Sequence, residues 1–480
     1  MVNNIYNKRF NRRQFLKYSL LTSTISLLPK PLKAFGFGDI FNKNYTENYV
    51  VRNDLNVTPN TTVINSKPIK LIDFAHLTDV HIVDEGNPLR FEELKLLGID
   101  EPIFARLDSI IQTISRNQDP YSALLWDETV RSINKQHSLE PMDFLIATGD
   151  HTDTDLENEL RWFIEIADGY ISNDYFDRTG KKEMAYVNPI GLDRTLPWYA
   201  AIGNHDVMYQ GVINNELFLG KLLGIVTSND KNINSDTRKL IYRLSISAPE
   251  MLLNPNECID LYKSSISLPL GHGFANMPPP NEGYYSFTPK PFIHCIVLNT
   301  ANYYAKGEIP KETFSEGILD RKQFNWMISE IENNYDKLCI IFSHHPPTSW
   351  LGILSDISPK EFENTLSSYE NVIVHICGHT HDNSIQAIRS NNGGYWLITT
   401  SSIIDFPQEW RRLTIYDNKD GTGSIFTRQF RHSNEEIAHI AYNDPGANHE
   451  TSYGDDTDRN TELIFSMPKV VSENISKNTI

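Results

Sequence analysis

Cysteine is scarce: the 480 residues hold four, Cys258, Cys295, Cys339 and Cys377. That is too few for a disulfide scaffold at this length, and three of them sit inside apolar runs, where a thiol reads as a small core residue. Glycine and proline, 25 of each, are too sparse for a collagen-like or low-complexity chain. Positive charge is in deficit, with 44 Lys+Arg against 61 Asp+Glu and a net charge of −17. Sequence-independent nucleic-acid binding needs basic residues against phosphates, so no nucleic-acid partner is expected. A small anionic substrate is not excluded, because a bound metal reverses the local field. No stretch approaches the roughly 20 apolar residues of a spanning helix, so no membrane span is expected in the mature chain. No internal repeat occurs. What is present is ordinary globular composition, 40% hydrophobic, long enough for a sizeable core and for one large domain with insertions.

The N-terminus reads as an address. Residues 8–34 run from a basic stretch through a short apolar run, Tyr18 to Leu28, to Pro29, Pro31 and the small Ala34. This is the order of a signal peptide. Its core, Asn11-Arg12-Arg13-Gln14-Phe15-Leu16-Lys17, resembles a twin-arginine export motif, a signal that a receptor reads. The resemblance implies the twin-arginine export machinery as a partner and a periplasmic or extracellular location. The cleavage point is weakly marked, since Leu32 is not small.

Residues 35–69 are polar and aperiodic and read as a linker or arm. From Ile69 onward, short apolar runs recur and each ends in a polar cluster: Ile69–Thr78, Asp143–Thr148, Trp198–Ile202, Phe292–Leu298, Leu338–Ser343, Val372–Cys377 and Tyr395–Thr400. Such runs suit buried strands. Helical patterns lie between several of them, including Asp127–Gln136, Asp155–Ile166 and Asp320–Asn333. The alternation predicts an α/β domain over 70–430. Two stretches, 84–142 and 207–290, exceed ordinary connections and are expected as insertions. Residues 431–480 are polar apart from Leu463–Met467 and are expected as a C-terminal tail.

The polar clusters carry the chemistry. They hold Asp79 and His81; Asp150 and Asp153; Asn204, His205 and Asp206; His344 and His345; and His379 and His381. In open α/β sheets, ligands bind beyond the carboxyl ends of strands, so five strands would deliver these residues to one rim. Carboxylate, imidazole and amide oxygen without thiolate suit borderline to hard divalent metals. Seven candidate ligands exceed a single tetrahedral set, and two metals sharing a carboxylate account for all of them.

In this order, Asp79-x-His81, Gly149-Asp150-x-x-Asp153, Gly203-Asn204-His205-Asp206, His344 and Gly378-His379-x-His381 resemble the calcineurin-like metallophosphoesterase superfamily over roughly residues 70–385. Asn158–Phe163 and Ser401–Arg411 further resemble a bacterial exported subgroup. The resemblance implies a two-sheet sandwich flanked by helices and a dinuclear-metal-dependent phosphoester hydrolase, a phosphomonoesterase or phosphodiesterase, acting on a small phosphorylated substrate outside the cytoplasm. It implies Asp79, His81 and His381 on one metal, Asn204, His344 and His379 on the other, and Asp150 bridging. A hydroxide between the metals would be the nucleophile. His205 would stabilise transition-state charge or protonate the leaving oxygen, and Asp206 would orient it. Purple acid phosphatases place a metal-binding Tyr three residues after the bridging Asp; Asp153 stands there instead, so no tyrosinate–iron centre is expected, and Mn, Zn and Fe remain open. The alternatives are a diphosphate hydrolase and a non-catalytic exported protein that binds metal or phosphate.

Other histidines are open to plainer readings. Neighbours in an extended segment point oppositely, so one of His344 and His345 reaches a metal; in related H-x-P sequences it is the first. His345, His151 and His272, the last within a Gly-rich stretch of the second insertion, are candidate substrate contacts. His76 and His375 lie within apolar runs and read as core histidines.

Overall fold

The computed structural model describes residues 49–57, 67–87, 89–90, 115–171, 187–227, 235–248, 251–303, 315–352, 354–390 and 393–478. The signal-like segment 1–34 lies outside them, as do much of the 35–69 arm and residues 91–114 of the first insertion.

Thirteen described strands form two sheets. In chain order they are β1 (Val50–Val51), β2 (Ile69–Leu77), β3 (Phe144–Thr148), β4 (Trp198–Ala201), β5 (Tyr285–Lys290), β6 (Ile293–Val297), β7 (Leu338–Phe342), β8 (Val372–Cys377), β9 (Ser384–Ser390), β10 (Gly393–Thr399), β11 (Glu409–Asp417), β12 (Thr422–Arg431) and β13 (Asn460–Ser466). The first sheet runs β1-β13-β12-β11-β2-β3-β4 and the second β5-β6-β7-β8-β10-β9. The seven apolar runs of the sequence all become strands. The first sheet ends in three parallel strands, β2-β3-β4, and the second has a parallel centre, β6-β7-β8-β10. Antiparallel β11 borders β2 in the first sheet, and antiparallel β5 and β9 flank the centre of the second.

Alternation along a strand explains the layering. In β7, Leu338, Ile340 and Phe342 enter the large core between the sheets. Cys339 and Ile341 point the other way, into a second cluster with Phe324, Met327, Ile331 and Phe362 of the helices Arg321–Asn333 and Pro359–Leu366. A strand buried on both faces needs an unbroken apolar run, which Leu338–Phe342 supplies. Between the sheets, Phe74 stacks on Phe144 at 4.7 Å and meets Phe342 edge-on at 5.9 Å. On the outer side of the first sheet, Ser132 of the helix Ser122–Leu139 joins the Trp410 indole and the Arg431 carbonyl. The fold is thus an α/β sandwich of two sheets flanked by helices.

The segment after residue 431 enters this architecture. β13 lies between β12 and β1, antiparallel to the first and parallel to the second, because Leu463 and Phe465 reach the main core. The second insertion folds partly on itself: Tyr209 and Phe218 stack at 3.7 Å, within a small cluster that also holds Leu89, Leu222 and Ile241.

Candidate metal centre

The ends of β2, β3, β4, β7 and β8 meet at one edge of the sandwich, and tight turns aim their side chains. Asp79, His81, Asp150, His379 and His381 all have positive φ, between 47° and 66°. Left-handed backbone costs a non-glycine residue of order 1–3 kcal/mol, and it persists where the surroundings over-determine it. Two glycines let the turns close. A Cβ on Gly203 would strike the Asp150 carboxylate, and one on Gly378 would strike Thr78 and Asp79.

Cross-sheet hydrogen bonds fix the two halves. The His379 N–H donates to Asp79 Oδ2 at 2.9 Å, and His344 Nδ1 donates to the Thr148 carbonyl at 2.7 Å. Within the cluster, His381 Nε2 lies 2.9 Å from Asp79 Oδ1 and His81 Nε2 3.7 Å from the same oxygen. Asp150 stands between two sets of donors: its Oδ2 is 3.1 Å from His344 Nε2 and 3.7 Å from His81 Nε2. Asn204 Oδ1 is 3.1 Å from His344 Nε2, while the Asn204 amide N–H donates to the Gly211 carbonyl at 3.0 Å. His379 completes this side, its ring 5.2 Å from that of His344.

The donor set fits divalent cations. Buried His81 Nε2 has no hydrogen-bond partner, and buried Asp79 Oδ1 receives no aligned donor beyond its ion-pair contact with His381 Nε2, an arrangement that costs free energy unless something satisfies it. Asp153 Oδ1 takes the other nitrogen of His81 at 3.0 Å, and Asp405 Oδ2 takes Nδ1 of His381 at 2.6 Å. A carboxylate or carbonyl on Nδ1 fixes the tautomer that presents the Nε2 lone pair. Three donor groups draw within 4.8 Å of one another in each of four sets, among them Asp79/His81/His381, Asp79/Asp150/His344 and His344/His345/His379. The electrostatics agree. Burial opposes protonation of His344, but the Asp150 carboxylate outweighs it and raises the pKa to about 9. A cation held by His344 and Asp150 would take the place of that proton.

The remaining predicted residues divide. His205 reaches the cluster: its ring is 4.5 Å from that of His81, and its Nδ1 donates to the Asp153 carbonyl at 2.6 Å. Asp206 does not touch the His205 ring. Its buried carboxylate accepts four backbone N–H groups, from Asp150 and Gly203 at 2.9 Å, His151 at 2.8 Å and Thr152 at 3.1 Å. The hydrogen bond on the His205 ring is thus with the Asp153 carbonyl and not with Asp206, and Asp206 ties two ligand-bearing turns together. His345 lies beside the cluster, 3.1 Å from Asn204 Oδ1 and 2.8 Å from Thr300 Oγ1 through its two nitrogens. His151 and His272, expected as substrate contacts, pack behind the site. His151 stacks on Phe163 at 4.2 Å and bonds the Tyr262 hydroxyl at 2.5 Å. His272 stacks on Trp198 at 3.4 Å and donates to its carbonyl. Asp405 was legible as a polar residue just after the last apolar run; Arg116, which pairs with Asp153 and Asp405, carried no signal at all.

The sequence profile described as Calcineurin-like phosphoesterase matches residues 72–383, well over half of the chain and every candidate ligand. The chain belongs to the calcineurin-like phosphoesterase family. It is a metal-dependent phosphoesterase, and the family works with a dinuclear divalent metal centre. Solved structures with a similar course include a dimetal phosphatase from Danio rerio, with 15% identity over 76% of this chain and 100% of that one and a TM-score of 0.37. GAP50 of Plasmodium, described as the anchor in the inner membrane complex, shares 12% identity over 81% of this chain and 91% of that one, at a TM-score of 0.36. A putative 5′-nucleotidase from Staphylococcus aureus shares 13% over 77% and 57%, at 0.33. No curated protein matches the sequence.

Proposed function

We propose that this calcineurin-like phosphoesterase hydrolyses phosphomonoesters or phosphodiesters of small molecules outside the cytoplasm. The observation that carries the chemistry is the convergence of seven donors from both sheets on a buried cluster in which His81 Nε2 has no hydrogen-bond partner. Asp79, His81 and His381 would hold one cation and Asn204, His344 and His379 the other, with Asp150 shared. Two such cations, Mn, Zn or Fe, supply Lewis acidity and water activated near neutral pH when bound. The chain's own part is to fix the donors and to exclude competing protons. Asp153, Asp405 and the Thr148 carbonyl hold the imidazoles on Nδ1. His205, its Nδ1 on the Asp153 carbonyl, keeps Nε2 free to hold or pass a proton at the phosphoryl or leaving oxygen. For location, the reading rests on the order of residues 8–34 and on Arg12-Arg13.

The test is initial rates on p-nitrophenyl phosphate and bis-p-nitrophenyl phosphate with added Mn²⁺, wild type beside His205→Ala. Removing a positioned proton-transfer group should cost about 10²- to 10⁴-fold in turnover with metal content unchanged. Equal rates in the two proteins on both substrates would overturn the role of His205. No turnover by either would favour a diphosphate substrate or a binding function. Arg12→Lys with Arg13→Lys should abolish export.

A further inference from the structure

Arg116 comes from the first insertion, outside the five motif turns, yet its buried guanidinium reaches both carboxylates that stand behind the first cation's histidines. Its Nη1 is 3.0 Å from Asp153 Oδ1 and its Nε 3.0 Å from Asp405 Oδ1. The Asp153 Oδ1 so held is the atom on His81 Nδ1, and the other oxygen of Asp405 is the one on His381 Nδ1. A short turn holds the arginine itself: its N–H donates to Asp119 Oδ2 at 2.9 Å, Nη1 is 3.4 Å from Asp119 Oδ1, and Arg116 O accepts the Asp119 N–H. Arg90 adds a second guanidinium, 3.5 Å from Asp153 Oδ2 and 3.6 Å from Asp119 Oδ2, while Arg116 also reaches Asp405. Gln118 also donates to Asp405 Oδ1, at 3.1 Å.

We propose that Arg116 is a positioning residue for the metal centre, a single clamp that sets the orientation of both His81 and His381 through Asp153 and Asp405. The proposal rests on the assignment of Asp79, His81 and His381 to one cation. It makes the two metal sites unequal. On the other side, His344 is backed by the neutral Thr148 carbonyl and Asn204 by the Gly211 carbonyl, and no residue of the clamp touches either. A planar guanidinium faces two carboxylates at once, which an ammonium on a flexible stem does not reproduce. Without it, Asp405, the partly exposed member at 19%, keeps Gln118 but loses the guanidinium, and the support of His381 weakens.

The experiment is titration of the metal-stripped full-length protein with Co²⁺, followed by calorimetry and visible absorption. Wild type should take up two ions. Arg116→Gln should weaken one about 10- to 100-fold, the usual cost of losing a partner behind a ligand, and leave the other within about threefold. Arg116→Lys should recover part of the loss. In a His381→Ala background Arg116→Gln should cost less than in the wild type, because the Asp405 arm is already lost and both changes act on one site. Equal weakening of both ions, or of neither, overturns the clamp. A wild-type stoichiometry below two overturns the dinuclear reading and the proposal with it, which separates the two failures. Should Arg116→Gln not fold, Asp405→Asn reports on the same arm: selective loss of one ion supports the clamp and unchanged affinity refutes it.

Discussion

Asp206→Asn separates two roles for one residue. If Asp206 oriented His205, the amide would lower turnover and leave the fold alone. The structure gives it a different task. Oδ2 accepts the Asp150 and Gly203 N–H groups and Oδ1 those of His151 and Thr152. Burial and the Asp150 charge push its pKa up to about 6, with the backbone N–H groups acting against the rise; four donors shared between its two oxygens suit an acceptor-only carboxylate. An asparagine has one accepting oxygen and one donating nitrogen, so two of the four N–H groups would face an NH₂. Each buried donor left unsatisfied costs about 1–3 kcal/mol, giving about 2–6 kcal/mol in all. That is a large part of the roughly 5–15 kcal/mol that holds a domain folded. Asp150 and Asn204 sit on the two turns that Asp206 ties together, so metal affinity should fall as well. Urea unfolding of the metal-stripped proteins measures the first effect and Co²⁺ titration the second. Unchanged unfolding free energy and metal affinity, with only kcat reduced, would refute this account.

Two further outcomes follow from packing and titration. Gly203→Ala puts a methyl group into the Asp150 carboxylate; overpacking of this kind costs about 1–3 kcal/mol, and metal analysis of the purified variant should show lost occupancy, full occupancy being the contrary result. His432 is buried, its Nε2 donating to Gln408 and its Nδ1 accepting from the Asn434 N–H. Burial, and then Arg431, lower its pKa to about 3. The unfolded chain binds a proton near pH 6.5 that the folded chain refuses, so this residue withdraws stability as pH falls from 6.5 toward 3, about 2 kcal/mol at pH 5. His432→Gln should lose about that much less between pH 7 and pH 5 in denaturant titrations, and parallel pH profiles would contradict it.

Seven strands and the five polar clusters were readable because a strand buried on both faces must be an uninterrupted apolar run, and because such runs stop where the chain turns out toward the edge. Leu338–Phe342 followed by Ser343-His344 shows both rules in seven residues. The donor types alone specified divalent metal, and their number a pair. Tertiary structure decided the rest. β13 became a sheet strand because Leu463 and Phe465 fill core that other segments leave open, a vacancy invisible within a polar tail. Asp206 turned from His205 to four backbone N–H groups because those donors, brought from two separate turns, would otherwise be buried unpaired. His151 and His272 went to aromatic packing since nearness to a motif along the chain does not fix the direction of a side chain. Arg116 and Asp405 lie 289 positions apart in a 480-residue chain, and only folding brings the guanidinium between two carboxylates where burial makes their pairing obligatory.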